Sequence, residues 1–280
     1  MSGLLLADIG GSSSRWAVLT DDTTTVLTAA GAWPGFNPAT GSGEELVRTL
    51  KAERSAFVGL ERAHLYAAGC GTPERAMLLL TALQPSLPGT HIEVHSDLLA
   101  AARALWGQEP GAAMILGTGM NAGLYDGASL TRTLPSLGYI LGDEGSGADL
   151  GRCLFRDAFR DHMPPEVREA VFGAEGPDLP STIRGIYRSA FPAKALAEPV
   201  ARLAEHLDRS YVQRLLADRF TLLAEELKRT LGSVEVRATG SVAFGFRKEL
   251  TYALQGEGLR LTQVERDPLE GLVRYYRATR

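Results

Sequence analysis

Short apolar runs separated by glycine-rich polar turns recur along the chain. In the first example, apolar residues 4–7 and 16–19 flank a turn that begins at Asp8. This pattern predicts a strand, a turn and a second strand. Gly10 and Gly11 would let the backbone approach a ligand closely, and the serines that follow would add hydroxyl donors. A carboxylate beside such a turn suits a hydrated metal ion that carries phosphates, although an ordinary hairpin explains this stretch alone equally well.

The same unit recurs in the middle of the chain. Apolar residues 112–116 and the run 122–126 flank the turn 117–121, which reads Gly-Thr-Gly-Met-Asn. A third turn made of glycine and a hydroxyl residue, Gly240-Ser241, follows another predicted strand. Two such hairpins predict two structurally related halves, each presenting a phosphate-binding loop.

The division between the halves is predicted near Pro110-Gly111, where the apolar pattern restarts. We therefore expect an N-terminal domain over residues 1–110 and a C-terminal domain over residues 111–280. Residues from about 160 to 232 have a mainly helical pattern and would form an insertion in the second domain. The final helix is expected to pack back toward the first domain.

Asp97 lies where the predicted strand 91–95 meets a helix that runs to Trp106. Ser96 suits the N-cap of this helix, and the helix dipole favours a carboxylate in the first turn, so capping is a sufficient explanation of Asp97 taken alone. A carboxylate at a strand–helix junction is also placed to accept a proton from a substrate hydroxyl. Asn37 poses a similar choice between a plain Asn-Pro turn and a contact with a ligand.

Glycines and serines surround the adjacent carboxylates Asp143 and Glu144 in the segment 136–147. Asp143 could accept hydrogen bonds from hydroxyls of the kind that sugars carry. The same residues also suit the start of the helix predicted over residues 148–159. Both interpretations stand on this segment alone.

Composition narrows the classes of function. The 280 residues are 45% hydrophobic, which is enough for one large domain or two smaller ones. A net charge of −4 disfavours nucleic acid as a partner, and no apolar run approaches the roughly 20 residues of a membrane span. Cys70 and Cys153 lack the paired spacing of a zinc or iron–sulfur site, and free thiols are typical of the cytoplasm, where we expect the protein. The five histidines are scattered without metal-ligand spacing, and we interpret them as structural or surface groups.

The three turns, in the order in which they occur, resemble those of the actin-like ATPase superfamily, which includes the sugar kinases. More closely, the chain resembles the BadF/BadG/BcrA/BcrD ATPase family, in its N-acetylglucosamine kinase branch. The Gly-Asp-Glu-Gly-Ser stretch is the most specific part of the resemblance. The segments that carry it are 97–105, 109–127, 135–147, 240–244 and 268–273.

This resemblance implies an α/β fold of two actin-like, ribonuclease H-like domains, each a mixed five-stranded sheet flanked by helices, with a cleft between them. It also implies an ATP-dependent kinase that phosphorylates the C6 hydroxyl of an amino sugar, most closely N-acetylglucosamine, with ATP and Mg²⁺ as cofactors. Asp8 would hold Mg²⁺ through water, and Asp97 would be the general base. The implied nucleotide and phosphate contacts are Gly10, Gly11, Ser12, Ser13, Ser14, Arg15, Gly117, Thr118, Gly119, Gly240 and Ser241. The implied sugar contacts are Asn37, Asp97, Asn121, Gly138 and Asp143.

Two positions depart from the family pattern. The family commonly carries lysine where this chain has Ser13, and serine where it has Met120. Loss of the lysine removes a phosphate-facing cation that Arg15 could replace, although strand alternation could aim Arg15 elsewhere. The relatives that activate CoA-dependent dehydratases carry cluster-binding cysteines, and their absence from this sequence argues against that role.

Several alternatives stay open. N-acetylmuramic acid and glucosamine are the runner-up substrates, and the lack of Arg or Lys beside Asn37 and Asp143 favours a neutral sugar. A sugar- or nucleotide-sensing module with little turnover is the alternative of another class. The expected partner is a small-molecule amino sugar, with neither nucleic acid nor a membrane, and a homodimer is left open as the assembly.

Overall fold

The computed structural model describes four stretches of the chain: residues 3–11, 13–27, 33–36 and 43–279. The chain divides into two compact units. Unit 1 comprises residues 1–107 together with 268–280, and unit 2 comprises residues 108–267. The predicted second domain, residues 111–280, includes the final helix, whereas the structure assigns this helix to unit 1.

The elements of the described stretches follow in chain order. The strands are β1 (Gly3–Ile9), β2 (Ser14–Leu19), β3 (Thr24–Leu27), β4 (Leu60–Ala67), β5 (His91–Ser96), β6 (Gly111–Leu116), β7 (Met120–Tyr125), β8 (Leu130–Thr133), β9 (Glu235–Thr239) and β10 (Arg260–Glu265). The α-helices are α1 (Glu44–Ala52), α2 (Pro73–Leu83), α3 (Asp97–Trp106), α4 (Gly138–Leu141), α5 (Gly147–Phe159), α6 (Pro165–Phe172), α7 (Leu179–Arg188), α8 (Pro192–Ala197), α9 (Ser210–Leu231), α10 (Ser241–Gly245), α11 (Arg247–Gly256) and α12 (Leu269–Thr279).

Unit 1 is built on a sheet with the strand order β3-β2-β1-β4-β5. β1 and β2 form the antiparallel hairpin that the opening apolar runs predict, whereas β4 is parallel to β1 and β5 to β4. Leu5 and Ile9 pack with Trp16 on one face of the sheet, and Leu4 and Leu6 pack on the other face with α3 and α12. Burial on both faces explains why β1 is apolar at nearly every position.

Helix α12 completes the core of unit 1. It packs closely against α3, because an ideal Cβ placed on Gly271 would lie only 2.6 Å from the Cβ of Ala104. The hydroxyl of Tyr276 lies 2.7 Å from that of Tyr66 on β4, and Arg103 of α3 donates to the Tyr66 hydroxyl at 2.6 Å. A small residue and a buried polar network therefore fix the position of this helix.

Unit 2 repeats the topology of unit 1. Its sheet has the order β8-β7-β6-β9-β10, with antiparallel β6–β7 and β7–β8 pairs and parallel β6–β9 and β9–β10 pairs. Strand for strand, this is the order and direction pattern of the first sheet. The α/β fold of two related halves, each a mixed five-stranded sheet flanked by helices, is thereby confirmed.

The helical region of unit 2 packs on its sheet through α9. Phe220, Leu223 and Leu227 of this helix are fully buried in one core with Met114 of β6.

Across the described residues, no helix has both the length and the apolar character needed to cross a membrane.

Candidate active site

The turn between β1 and β2 is closed by its own backbone. The Gly10 amide donates to the Ser13 carbonyl at 2.9 Å, and an ideal Cβ on Gly10 would lie 3.1 Å from the same oxygen. The buried Ser14 hydroxyl donates to the Pro34 carbonyl at 2.7 Å, and its amide donates to the Trp33 carbonyl at 2.9 Å. Both donors of Ser14 thus brace the turn, so contact with a phosphate would fall to its neighbours.

Asp8 and Arg15 face each other across this hairpin. They are directly opposed in the register of β1 and β2, so their side chains leave the same face of the sheet. Ser13 lies just before β2 and forms an isolated antiparallel bridge with Pro34. Arg15 is exposed, and the half-buried Asp8 carboxylate is an oxygen donor of the kind that Mg²⁺ prefers.

Gly11, Ser12 and Asn37 are the other predicted contacts of this region, and the structure describes only Gly11. An ideal Cβ on Gly11 would meet nothing within 4 Å, so there is open space beside this residue. Ser12 and Asn37 lie outside the described residues.

Asp97 is the first residue of α3 and follows directly from β5. Ser96 caps the helix by accepting from the Leu99 amide at 3.3 Å, and Oδ1 of Asp97 accepts from the Leu98 amide at 2.8 Å. Burial raises the pKa of the Asp97 carboxyl above its ordinary value, while the bond from Leu98 acts in the opposite direction. Asp97 can therefore occupy the first turn of α3 and still have the raised pKa that suits a general base.

Asp8 and Asp97 belong to the same edge of the unit 1 sheet. Strands β1, β4 and β5 are parallel neighbours, and the two aspartates lie at or just beyond the carboxyl ends of β1 and β5. Two strand spacings, about 10 Å, separate those strands. Ligands of open α/β sheets bind outside the carboxyl ends of strands, so this edge can take a substrate.

In unit 2 the turn Gly117-Thr118-Gly119 is anchored to the start of α5. The Gly117 amide closes the turn by donating to the Gly119 carbonyl at 3.0 Å. The Gly147 amide donates to the Gly117 carbonyl at 2.8 Å, and the Ala148 amide donates to the Thr118 carbonyl at 3.0 Å. Two amides that a helix N-terminus leaves without intrahelical partners thus hold the predicted phosphate turn in place.

The segment Gly240-Ser241 lies against this same turn. Because β9 is parallel to β6, an ideal Cβ on Gly117 would lie 4.0 Å from the amide nitrogen of Ser241. Gly240 has a φ of +121°, and an ideal Cβ on it would lie 2.3 Å from the Leu116 carbonyl oxygen, so only glycine fits. The structure brings the predicted second phosphate turn and the predicted adenosine contact together.

We expect Gly240→Ala to lower the free energy of unfolding by at least about 2 kcal/mol, because alanine would add backbone strain to a clash with a carbonyl oxygen. Gly245→Ala is the matched control, since its Cβ would meet nothing within 4 Å, and it should change stability little. Urea unfolding followed by circular dichroism measures both variants. Equal stabilities would show that the turn accommodates a side chain.

Asp143 lies between this turn and a pocket of unit 2. Its carboxylate accepts a hydrogen bond from the Met120 amide, and Oδ2 would lie 3.0 Å from an ideal Cβ on Gly119. Its φ of +59° is a conformation that aspartate tolerates better than most residues. Residues that line the pocket include Met120, Asn121, Leu137, Asp143, Glu144 and Glu226.

Two predicted sugar contacts, Asn121 and Asp143, therefore share one pocket. Gly138, the third in this unit, begins α4 with a φ of +70°, directly after the pocket residue Leu137. Glu226 reaches the same pocket from α9 and is not among the predicted site residues. A single glutamate on a long charged helix carries no local signal that could have identified it.

Burial raises the pKa of Asp143 to about 6, and the negative charges of Glu144 and Asp149 add to this effect. Between about pH 4 and about pH 6 the folded protein therefore holds a proton that the unfolded chain releases. We expect the contribution of Asp143 to the free energy of unfolding to fall as the pH rises through this window. The measurement is the difference in unfolding free energy between wild type and Asp143→Asn at several pH values.

Asp126→Asn is the matched control for this experiment. Hydrogen bonds from the amides of Ser129 and Ala128 lower the pKa of the exposed Asp126, so this residue titrates below the window. Its difference from wild type should be flat between about pH 4 and about pH 6. A flat difference for Asp143→Asn as well would contradict the raised pKa.

Asp149 of α5 anchors the loop that carries Asp143. It is fully buried and accepts hydrogen bonds from the Gly145 amide at 2.9 Å, from Arg152 at 2.7 Å and from Arg219 at 2.7 and 3.0 Å. Asp149 is not among the predicted site residues. A carboxylate on the buried face of an amphipathic helix is the signal that could have identified it, because buried charges require partners.

Two histidines that are distant in the sequence come together in unit 1. His64 of β4 and His95 of β5 lie 3.4 Å apart, and Glu93 lies within 3.5 Å of both. These two histidines therefore come together in space although their spacing in the sequence is not that of metal ligands. The alternation His91-x-Glu93-x-His95 predicts part of this cluster, because alternate residues of a strand share a face.

Comparison with solved structures gives matches over almost the whole chain. A candidate N-acetylglucosamine kinase from Porphyromonas gingivalis is 33% identical with a TM-score of 0.83, covering 98% of this chain and 99% of that one. Another, from Chromobacterium violaceum, is 21% identical with a TM-score of 0.70, covering 98% and 99%. A ROK hexokinase from Thermus thermophilus is 19% identical with a TM-score of 0.54, covering 99% and 100%. The last two establish a likeness of fold alone. No family model and no curated protein sequence matches the chain.

Proposed function

Because this chain belongs to the sugar kinase family of the actin-like ATPase superfamily, we propose that it transfers the γ-phosphoryl group of ATP to the C6 hydroxyl of N-acetylglucosamine. The proposal rests above all on Asp97, a half-buried carboxylate of raised pKa at the same sheet edge as Asp8. The choice of sugar is supported by the Porphyromonas gingivalis relative, which is described as a candidate N-acetylglucosamine kinase.

In the proposed reaction, Asp97 accepts the proton of the C6 hydroxyl while the hydroxyl oxygen attacks the γ-phosphorus. The bond from the γ-phosphorus to the β–γ bridging oxygen breaks, and ADP leaves with its electron pair. Mg²⁺ held by Asp8 through water would neutralise charge on the phosphates. A positioned base contributes about 10²–10⁴-fold, and alignment of the reactants supplies much of the remainder.

The glycine turns supply the proposed phosphate contacts. The open space beside Gly11 leaves room for a phosphate at the first turn, where Arg15 would add a positive charge. Thr118 belongs to a turn that α5 holds firmly, so its donors are positioned before a ligand binds. Ser241, exposed beside that turn, would lie near the adenosine.

The pocket of unit 2 bears on the choice among amino sugars. Asp143 and Glu144 place two carboxyl groups around it. A third, that of Glu226, is paired with Arg229 at 2.8 Å. Such a lining would repel the lactyl carboxylate of N-acetylmuramic acid, whereas a neutral sugar can donate its hydroxyls to carboxylate oxygens. The same lining would attract the ammonium group of glucosamine, which makes glucosamine the second candidate.

The deciding experiment is ADP release from Mg²⁺-ATP with N-acetylglucosamine, glucosamine, N-acetylmuramic acid and glucose, each assayed separately. Highest kcat/KM with N-acetylglucosamine supports the proposal, and highest kcat/KM with glucosamine selects the second candidate. Turnover with none of these sugars, while calorimetry still detects ATP binding, would overturn the kinase assignment in favour of a sensing module. Ser13→Lys would then test whether the missing lysine accounts for the absence of turnover.

A further inference from the structure

Three side chains from β4 and β5 converge on one face of the unit 1 sheet. Glu93 and His95 are alternate residues of β5, which is an edge strand, and Glu93 is directly opposite His64 in the register with β4. They lie on the face that packs with α3 and α12, where the ring of Tyr276 stacks on that of His64 at 4.7 Å between centroids. Neither the phosphate turns nor the pocket of unit 2 includes any of them.

The three possible donor atoms form a nearly equilateral triangle. Nδ1 of His64 lies 3.4 Å from Nε2 of His95, and Oε2 of Glu93 lies 3.5 and 3.4 Å from these two nitrogens. A tetrahedral ion with bonds of about 2.0–2.1 Å holds its donor atoms about 3.3–3.4 Å apart. We propose that His64, Glu93 and His95 form a binding site for a divalent transition metal ion, with Zn²⁺ as the ion that fits best.

Burial and exposure suit a site that is closed on one side. The side chains of His64 and His95 are 11% and 21% exposed, whereas that of Glu93 is 44% exposed and opens the site to solvent. Water can therefore take the fourth position.

Nearby charges favour a transition ion over Mg²⁺ or Ca²⁺. Burial lowers the pKa values of His64 and His95. The negative charge of Glu93 raises both pKa values, whereas the positive charge of Arg103 lowers them. The neutral imidazole is the form that binds metals. The positive charges of Arg103 and Arg62 repel any cation, so a bound ion needs strong bonds to the site. Transition metal ions form strong bonds to imidazole nitrogen, whereas Mg²⁺ and Ca²⁺ prefer oxygen ligands.

A bound ion would tie the edge strand to the interior of the sheet. Glu93 and His95 lie on β5, whereas His64 lies on β4, so the ion would cross-link the two strands. His95 is also two residues before Asp97, so the ion would fix the end of the strand from which α3 begins. The site is a structural one in this interpretation, and it does not depend on the proposed kinase activity.

The test is calorimetric titration of the untagged, metal-stripped full chain with Zn²⁺, without nucleotide or sugar. We expect one equivalent to bind at this site, and Co²⁺ substituted there should give the visible absorption of a tetrahedral site. His95→Gln and Glu93→Gln should each weaken Zn²⁺ binding at least about tenfold, since even outer partners of metal ligands have effects of this size. His162→Gln, an exposed histidine of unit 2, is the matched control and should bind Zn²⁺ as wild type does.

The ligand variants must be shown to fold before their affinities are compared. Glu93 is the safest position because its side chain is partly exposed, and thermal unfolding without metal should place Glu93→Gln close to wild type. Zn²⁺ should then raise the melting temperature of wild type and of His162→Gln more than that of Glu93→Gln. Absence of binding to wild type, or binding that survives unchanged in both ligand variants, would overturn the proposal and leave a hydrogen-bonded trio.

Discussion

Asp97→Asn is expected to lower turnover with N-acetylglucosamine at least about 100-fold, because asparagine keeps the shape of aspartate but cannot take the proton of the hydroxyl. Binding of ATP and of the sugar should remain largely intact, since Asp97 is proposed to act on the proton in transit. The bond that Oδ1 accepts from the Leu98 amide can be retained by the amide oxygen of asparagine. Steady-state kinetics of ADP release give kcat and KM, and calorimetry gives the two binding constants.

Ser96→Ala is the matched control, because Ser96 also caps α3 but has no proposed role in proton transfer. It should lower the free energy of unfolding by about 1 kcal/mol and leave kcat nearly unchanged. Near-normal turnover in Asp97→Asn would remove Asp97 from the mechanism and reduce it to a capping residue. Equal losses of turnover in the two variants would point to the integrity of the helix rather than to a base.

The second large effect is expected from Asp149→Asn, which should lower the free energy of unfolding by about 3 kcal/mol. The substitution leaves Arg219 next to a neutral amide, and the guanidinium loses the carboxylate with which it forms two hydrogen bonds. The value is placed at the lower end of the range for a broken buried pair because the Arg219 side chain remains 23% exposed. Urea unfolding followed by circular dichroism measures the loss.

Arg152→Gln tests whether burial of the ion pair is the cause of the large loss of unfolding free energy expected for Asp149→Asn. Arg152 bonds to the same carboxylate, but its side chain is 43% exposed, so its removal should cost less than about 1 kcal/mol. Asp149→Asn should also raise the KM for the sugar, because Asp149 accepts from the Gly145 amide in the loop of Asp143. Equal losses of unfolding free energy in Asp149→Asn and Arg152→Gln would show that burial does not determine the size of the effect.

The elements that the sequence predicts well are those whose signals are local. The hairpins around Gly10 and Gly117 follow from apolar runs on either side of a glycine turn, and the start of α3 follows from Ser96 and Asp97. The observed bonds of these two residues match the capping explanation. Local patterns could not decide whether Asp97 also serves as a base, and that role stays a prediction.

What local patterns could not predict depends on strand pairing over long stretches of chain. Gly240 meets Leu116 only because β9 pairs with β6, and more than a hundred residues separate these strands in sequence. His64 meets Glu93 because the register of β4 against β5 places them side by side. A shift of that register by one residue would turn His64 to the opposite face, so the trio is a product of the sheet rather than of a motif.

The contribution of α12 to unit 1 has a consequence for synthesis. Unit 2 is one continuous stretch of chain, whereas unit 1 takes residues from both sides of it. At typical rates of translation, residues 108–267 take roughly 8–30 s to make. During that interval Leu4 and Leu6 lack the cover that Leu272 later provides. The second unit is therefore the first that can fold completely on the ribosome, and the nascent first unit keeps an apolar face open to chaperones until the last helix emerges.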